Sequence, residues 1–145
     1  FKRELEKECR FASLAIEDLR QGLSSNNAFR IWCSIHAFLV AAGNISKIFW
    51  PPAEKHYSQR GAELRRRLSV GDDSPLKKRA PRYYLEHFDE YLEEWVESTK
   101  TRQYVDLSYG SLAKIKERDP NVELKDFLRY FDYENFILVF SGGFV

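Results

Sequence analysis

The chain has 145 residues, of which 15% are aromatic and 31% charged, and its net charge is +1. That composition excludes a disordered or fibrous chain, and a chain of this length buries a core without disulfide staples. The near-zero charge carries no global signal for nucleic acid, so any such function must rest on local clustering.

Leu5, Cys9, Ala12, Ile16 and Leu19 recur at helical spacing and predict a first amphipathic helix over residues 2–23. Gly22 and the polar run Ser24–Asn27 stop it, and Asn26 or Asn27 is placed to cap a second helix. That helix runs to about Trp50. Phe29, Trp32, Ile35, Phe38, Leu39, Ala42, Ile45 and Phe49 fill more than one face, as expected of a central helix, and Pro51-Pro52 ends it. A third, arginine-rich helix is expected from Ala53 to Val70. Gly71-Asp72-Asp73 then turns the chain, Ser74 caps, Pro75 takes the first helical position, and a fourth helix continues to about Ser98 with a kink near Pro81. Beyond Thr101 the pattern becomes strand-like. Tyr104–Leu107 alternates, Phe127–Phe131 and Phe136–Phe140 read as a hairpin, and Gly142-Gly143 offers a further turn. The expected fold is therefore mainly α: a helical bundle over residues 1–100 and a small β extension over residues 101–145 packed on it.

Cys9 and Cys33 have neither metal-ligand nor disulfide spacing and read as buried reduced thiols. The apolar stretch Ala37–Ala42 is too short to cross a membrane, and no secretory pattern is seen, so a cytoplasmic location without a membrane partner is the expectation.

The most informative segment is Arg82-Tyr83-Tyr84-Leu85-Glu86-His87. A guanidinium holds a phosphate through fork-like donors, and an imidazole exchanges a proton near neutral pH, so the pair suits phosphodiester chemistry. Leu85, Phe88, Leu92, Trp95 and Val96 form one apolar stripe, with His87 at its edge and Arg82 on the other flank. Five residues at about 100° each put the two side chains apart on one ideal helix, so Arg82's reach or a two-fold pairing of subunits must bring them together. A purely structural reading is also open: Arg82 and Glu86 form an i,i+4 surface pair, and His87 bonds Tyr91 or Glu94.

The run Ser74 to Glu90, with its Arg-x4-His motif, resembles the motif helix of HEPN-like domains, and the likeness covers residues 2–98. The resemblance implies a four-helix bundle that dimerises, sets its motifs in a shared cleft and cleaves RNA without metal. Some relatives act as bacterial toxins beside a nucleotidyltransferase-like antitoxin, and others have lost catalysis and serve as binding modules. Where such families often carry a polar residue after the arginine, this chain has Tyr83.

Arg60, Arg65, Arg66, Arg67, Lys77, Lys78, Arg79 and Arg82 make a basic band upstream of His87, read either as a phosphate track or as a solvated face. Lys77, Lys78, Arg79 and Tyr83 are the expected RNA contacts. The carboxylates Asp89, Glu90, Glu93, Glu94 and Glu97 read as a soluble surface, and no metal or cofactor is expected. His36 reads as a hydrogen-bonded core or interface residue. Asn44 either lines a cleft or satisfies a buried polar contact. The function that follows is RNA processing or RNA binding by a homodimer, with Arg82 and His87 as catalytic residues of a metal-independent endoribonuclease, or alternatively a non-catalytic module that binds a protein or nucleotide.

Overall fold

Apart from one glycine in its last turn, the first helical segment is built of side chains compatible with a helix. It forms α1 (Lys2–Ser24) in the computed structural model, which describes residues 1–53, 55–78, 80–98, 105–140 and 143–144. The inward row of α1 is Leu5, Glu8, Ala12, Ala15, Leu19 and Gly22, at alternating steps of three and four. Cys9 and Ile16, expected inside, are exposed, because packing against a single partner helix selects a narrower seam than the sequence stripe suggests. Gly22 lets the chain double back closely: a Cβ there would stand 3.0 Å from Ile31. Asn26 takes a φ of 53°, which asparagine tolerates, and Asn27 caps α2 (Ala28–Phe49) by accepting from the Arg30 amide at 3.0 Å.

α2 packs against α1, α3 (Lys55–Arg67) and a 3₁₀ turn at Pro75–Lys77. Ile31, Trp32, Ile35, Leu39, Ile45 and Phe49 are buried along it. Full burial of a side chain such as Ile31 stabilises by about 1.5–3 kcal/mol relative to exposure. Phe29, by contrast, points outward. By length and composition alone α2 is apolar enough to cross a membrane, and 44% of that window is buried in the protein. A cluster of Leu5, Ile45 and Phe49, joined by Leu64, Val70 and Leu76, ties α1, α2 and α3 to the segment that follows α3. Arg65 donates to the carbonyl oxygen of Phe49, placing a cation at the C-terminal end of α2.

The single fourth helix expected over residues 75–98 is instead three pieces: the 3₁₀ turn, α4 (Ala80–Glu86) and α5 (Phe88–Ser98). A helix running through from Pro75 would carry Pro81 in its interior, with a missing amide and a ring clash. Starting α4 at Ala80 puts Pro81 in a first turn, where no donor is needed. His87 is the joint between α4 and α5, spanned by the backbone bonds from His87 to Tyr83 and from Tyr91 to His87.

The chain divides into two compact units, Phe1–Arg82 and Tyr83–Val145. The second contains a small sheet of order β1-β2-β3-β4, built from β1 (Ser108–Gly110), β2 (Arg129–Asp132), β3 (Ile137–Phe140) and β4 (Gly143–Phe144). β2 and β3 form the expected antiparallel hairpin, with Tyr130 opposite Val139 and Phe131 opposite Leu138. Asp132 fixes its turn by accepting from the Glu134 amide and from Asn135. The strand expected at Tyr104–Leu107 lies elsewhere. Tyr104 falls outside the described residues, Val105 makes only an isolated bridge, Leu107 has a φ of 50°, and the strand forms at Ser108–Gly110, parallel to β2. Parallel pairing requires a crossover, and α6 (Leu112–Arg118), capped by Ser111, lies within it. Leu112, Phe127, Tyr130 and Val139 form the core of this unit. The fold is thus mainly helical with a small sheet toward the C-terminal end.

Candidate functional site

Arg82 sits in the first turns of α4, and its side chain lies across α2. Its Nη1 donates to Asn44 Oδ1 at 2.9 Å, a contact between residues 38 positions apart. The approach depends on Gly43, where a Cβ would stand 2.3 Å from Arg82 Cδ and 2.9 Å from Nη1. α2 therefore offers Arg82 a notch and an acceptor on successive residues. Asn44 satisfies a partly buried polar contact and also lines the groove along α1 and α2, so both roles its sequence context offered are met.

Beside this anchor is a cleft of about 240 Å³ lined by Phe38, Leu39, Ala42, Gly43, Pro75 and Leu76, with Lys78 and Arg82 as its charged members. Lys77 and Lys78 are both exposed. Among the described residues neither forms an ion pair. Arg79 lies outside the described residues.

The basic band is less open than its sequence suggests. Arg66 and Arg67 both bind Glu63, Arg65 binds Asp72, and Arg60 lies over the ring of Phe1 at 4.1 Å. The two arginines hold the Glu63 carboxyl well down, at about 2. Positive charge that can receive a phosphate without first breaking such a pair is concentrated at Lys77 and Lys78. The exposed pairs are weak and exchangeable, so they reduce the track rather than abolish it.

His87 belongs to the second unit and has its own surroundings. Its Nδ1 lies 3.2 Å from Glu90 Oε1, and its ring packs on Tyr83 with centroids 4.2 Å apart. The side chain is 38% exposed, so it is not a core histidine. A carboxylate on Nδ1 favours the tautomer with the proton there and leaves Nε2 as the basic nitrogen. Tyr83, expected as an RNA contact, is the platform under His87 and is itself exposed. Tyr84 continues the aromatic set, packing on Tyr91 at 4.4 Å and stacking on Phe140 at 5.3 Å. Burial and the neighbouring Tyr84 push the Tyr91 hydroxyl above its ordinary value. The partner of His87 is Glu90 rather than Tyr91 or Glu94. The i,i+3 spacing was the signal for it, since residues three apart share a helix face.

A second concavity runs along the α1–α2 hairpin, about 690 Å³ in volume and open to solvent. Phe11, Leu14, Cys33, His36, Ala37 and Val40 are among its lining residues. Here two expectations are corrected. Cys9 and Cys33 are exposed thiols, and His36 is exposed on the groove, which overturns its core reading and leaves the interface one open. Cys33 and His36 lie on the face of α2 that its neighbours leave uncovered, and Cys9 lies outside the inward row of α1. Among the described residues no group of three His, Cys, Asp or Glu side chains is arranged to hold a metal ion.

No family model matches the chain, and neither a curated protein nor a solved structure is significantly similar to it.

Proposed function

We propose that this protein is a HEPN-like RNA-binding protein of the cytoplasm that cleaves RNA without a metal ion, with Arg82 and His87 acting on one phosphodiester. The observation that supports it best is the seating of Arg82. A guanidinium whose orientation is fixed by Asn44 and Gly43, in the lining of a cleft shared with Lys78, is pre-organised for a phosphate rather than waving in solvent. The setting of His87 is compatible with proton transfer: it is reachable from solvent and oriented by Glu90 through the nitrogen opposite the one that would act.

In this reading the ribose 2′-hydroxyl loses its proton to His87 Nε2 and attacks the adjacent phosphorus. Arg82 stabilises the charge on the phosphorane, the bond to the 5′-oxygen breaks, and a 2′,3′-cyclic phosphate and a 5′-hydroxyl result once that oxygen is protonated. In this reading the two motif side chains meet across a homodimer. An antitoxin-type protein is the corresponding partner.

Purified protein incubated with single-stranded RNA in a chelating buffer tests this. Cleavage that leaves cyclic phosphate ends, spares DNA, and falls at least about a hundredfold in both His87→Ala and Arg82→Ala is expected, general acid–base catalysis contributing roughly 10²–10⁴. Undiminished cleavage by His87→Ala overturns the catalytic role.

A second reading, a non-catalytic module binding a protein partner, is favoured by the open apolar groove of the α1–α2 hairpin. It predicts RNA left intact by the wild type, and a partner whose binding is lost in Leu14→Asp.

A further inference from the structure

We infer that the cleft between α2 and the Pro75–Lys78 segment is a subsite for one nucleotide unit, with the base against Phe38 and Ala42 and its phosphate on Lys78 and Arg82. The inference rests on the RNA reading above and adds to it a place for a base. Three features converge. Most of the lining is apolar and includes an aromatic ring, Phe38, together with Leu39, Ala42, Pro75 and Leu76. The charged residues in the lining are both cations, Lys78 and Arg82, and no carboxylate is among them. The volume, about 240 Å³, is below that of a site for a drug-sized molecule, so it suits a single ring system. An apolar cleft that also carries two cations in its lining selects a ligand that is planar and apolar at one end and anionic at the other. Proteins that read single-stranded RNA use this chemistry, taking unstacked bases onto aromatic or apolar surfaces while cations follow the backbone.

The subsite also accounts for the Gly43–Asn44 pair. Gly43 brings Arg82 down onto the helix, at the level of the cleft lining, and Asn44 holds it there. Both are positioning residues for the phosphate end. Ala42 is part of the lining, and a larger side chain there would occupy the place of the base.

Binding of inorganic phosphate, ribose 5-phosphate, a nucleoside 5′-monophosphate and a short single-stranded oligoribonucleotide is measured on the full chain by calorimetry and backbone amide NMR. The nucleoside monophosphate should bind about 5- to 150-fold more tightly than ribose 5-phosphate, the range that base stacking contributes. Ala42→Phe should erase that ratio while leaving ribose 5-phosphate binding in place. Phe38→Leu should reduce it, and it serves where Ala42→Phe does not fold. Lys78→Ala, at an exposed position, should weaken all four ligands. Equal affinity for the two sugar phosphates, or an unchanged ratio in both cleft variants, overturns the subsite. If the oligoribonucleotide still binds in that case, the RNA reading survives without it. Failure of all four ligands to bind sinks both.

Discussion

The settings of Arg82 and His87 differ in kind. Arg82 is held by Asn44 and Gly43, roughly forty positions earlier in the chain, whereas His87 is held by Tyr83 and Glu90, four residues before it and three after. One is a product of tertiary packing and the other of local helix geometry. The two settings therefore depend on stability unevenly: loss of packing in the first unit removes the arginine's orientation, while the histidine keeps its neighbours as long as its own helical turn persists.

The largest expected effect tests that dependence. Ile31→Ala removes a fully buried side chain from the α1–α2 interface and should destabilise the protein by about 2–5 kcal/mol in urea denaturation. NMR of this variant should show signals of Asn44 and its neighbours broadened before those of His87. Broadening of both together would mean that the two motif residues share one cooperative unit.

The second unit has a contrasting vulnerability, to alkali. Burial pushes the Tyr130 hydroxyl up to about 12, and that oxygen has no hydrogen-bond partner among the described residues. The folded state binds this proton more tightly than the unfolded chain does. The corresponding stability is complete below about pH 10 and is lost as pH rises through about 12, an effect on the order of 2 kcal/mol. Tyr130→Phe should remove this alkaline transition and leave neutral-pH stability equal or higher, because an unpaired buried hydroxyl is costly.

Next in size is the anchor itself. A double-mutant cycle between Asn44→Ala and Arg82→Ala should give a coupling of about 1–2 kcal/mol, as for a partly buried hydrogen bond to a charged group. The same cycle between Glu90→Ala and His87→Ala should give only a few tenths, the value of exposed neighbours on a helix. Equal couplings would erase the distinction between tertiary and local anchoring.

The smallest effect concerns Glu63, whose carboxyl is depressed to about 2 by Arg66 and Arg67. A depressed carboxyl contributes stability above its ordinary value of 4.5 that disappears as pH falls toward about 2. Acid titration of helicity in the wild type should show a loss in that window that Glu63→Gln lacks. The same substitution releases Arg66 and Arg67 and should strengthen RNA binding at low salt.

Much of this was legible in the residues. The heights and ends of α1 and α2 follow from helical periodicity, the Asn27 cap and the Pro51-Pro52 stop, and the β2–β3 hairpin follows from two aromatic and branched runs around a polar turn. The misreadings share one cause, competition between a local pattern and its surroundings. The stretch 75–98 has helical composition throughout, yet Pro81 is accommodated only by starting a new helix just before it. α6 was not anticipated because seven residues with one apolar i,i+3 pair, Leu112 and Ile115, give too little periodicity to register. Asn44 was visible as a polar interruption of an apolar helix, but the identity of its partner was not.

The sequence by itself determined that helices dominate, where the long ones begin and stop, and that an arginine and a histidine lie five positions apart near a cluster of cations. These are matters of short-range sterics, periodicity and composition, which each stretch of chain settles alone. Tertiary structure decided that Arg82 rests in the Gly43 notch and that both cysteines and His36 face outward. Those outcomes depend on which distant surfaces meet, and one amphipathic pattern is compatible with many such meetings.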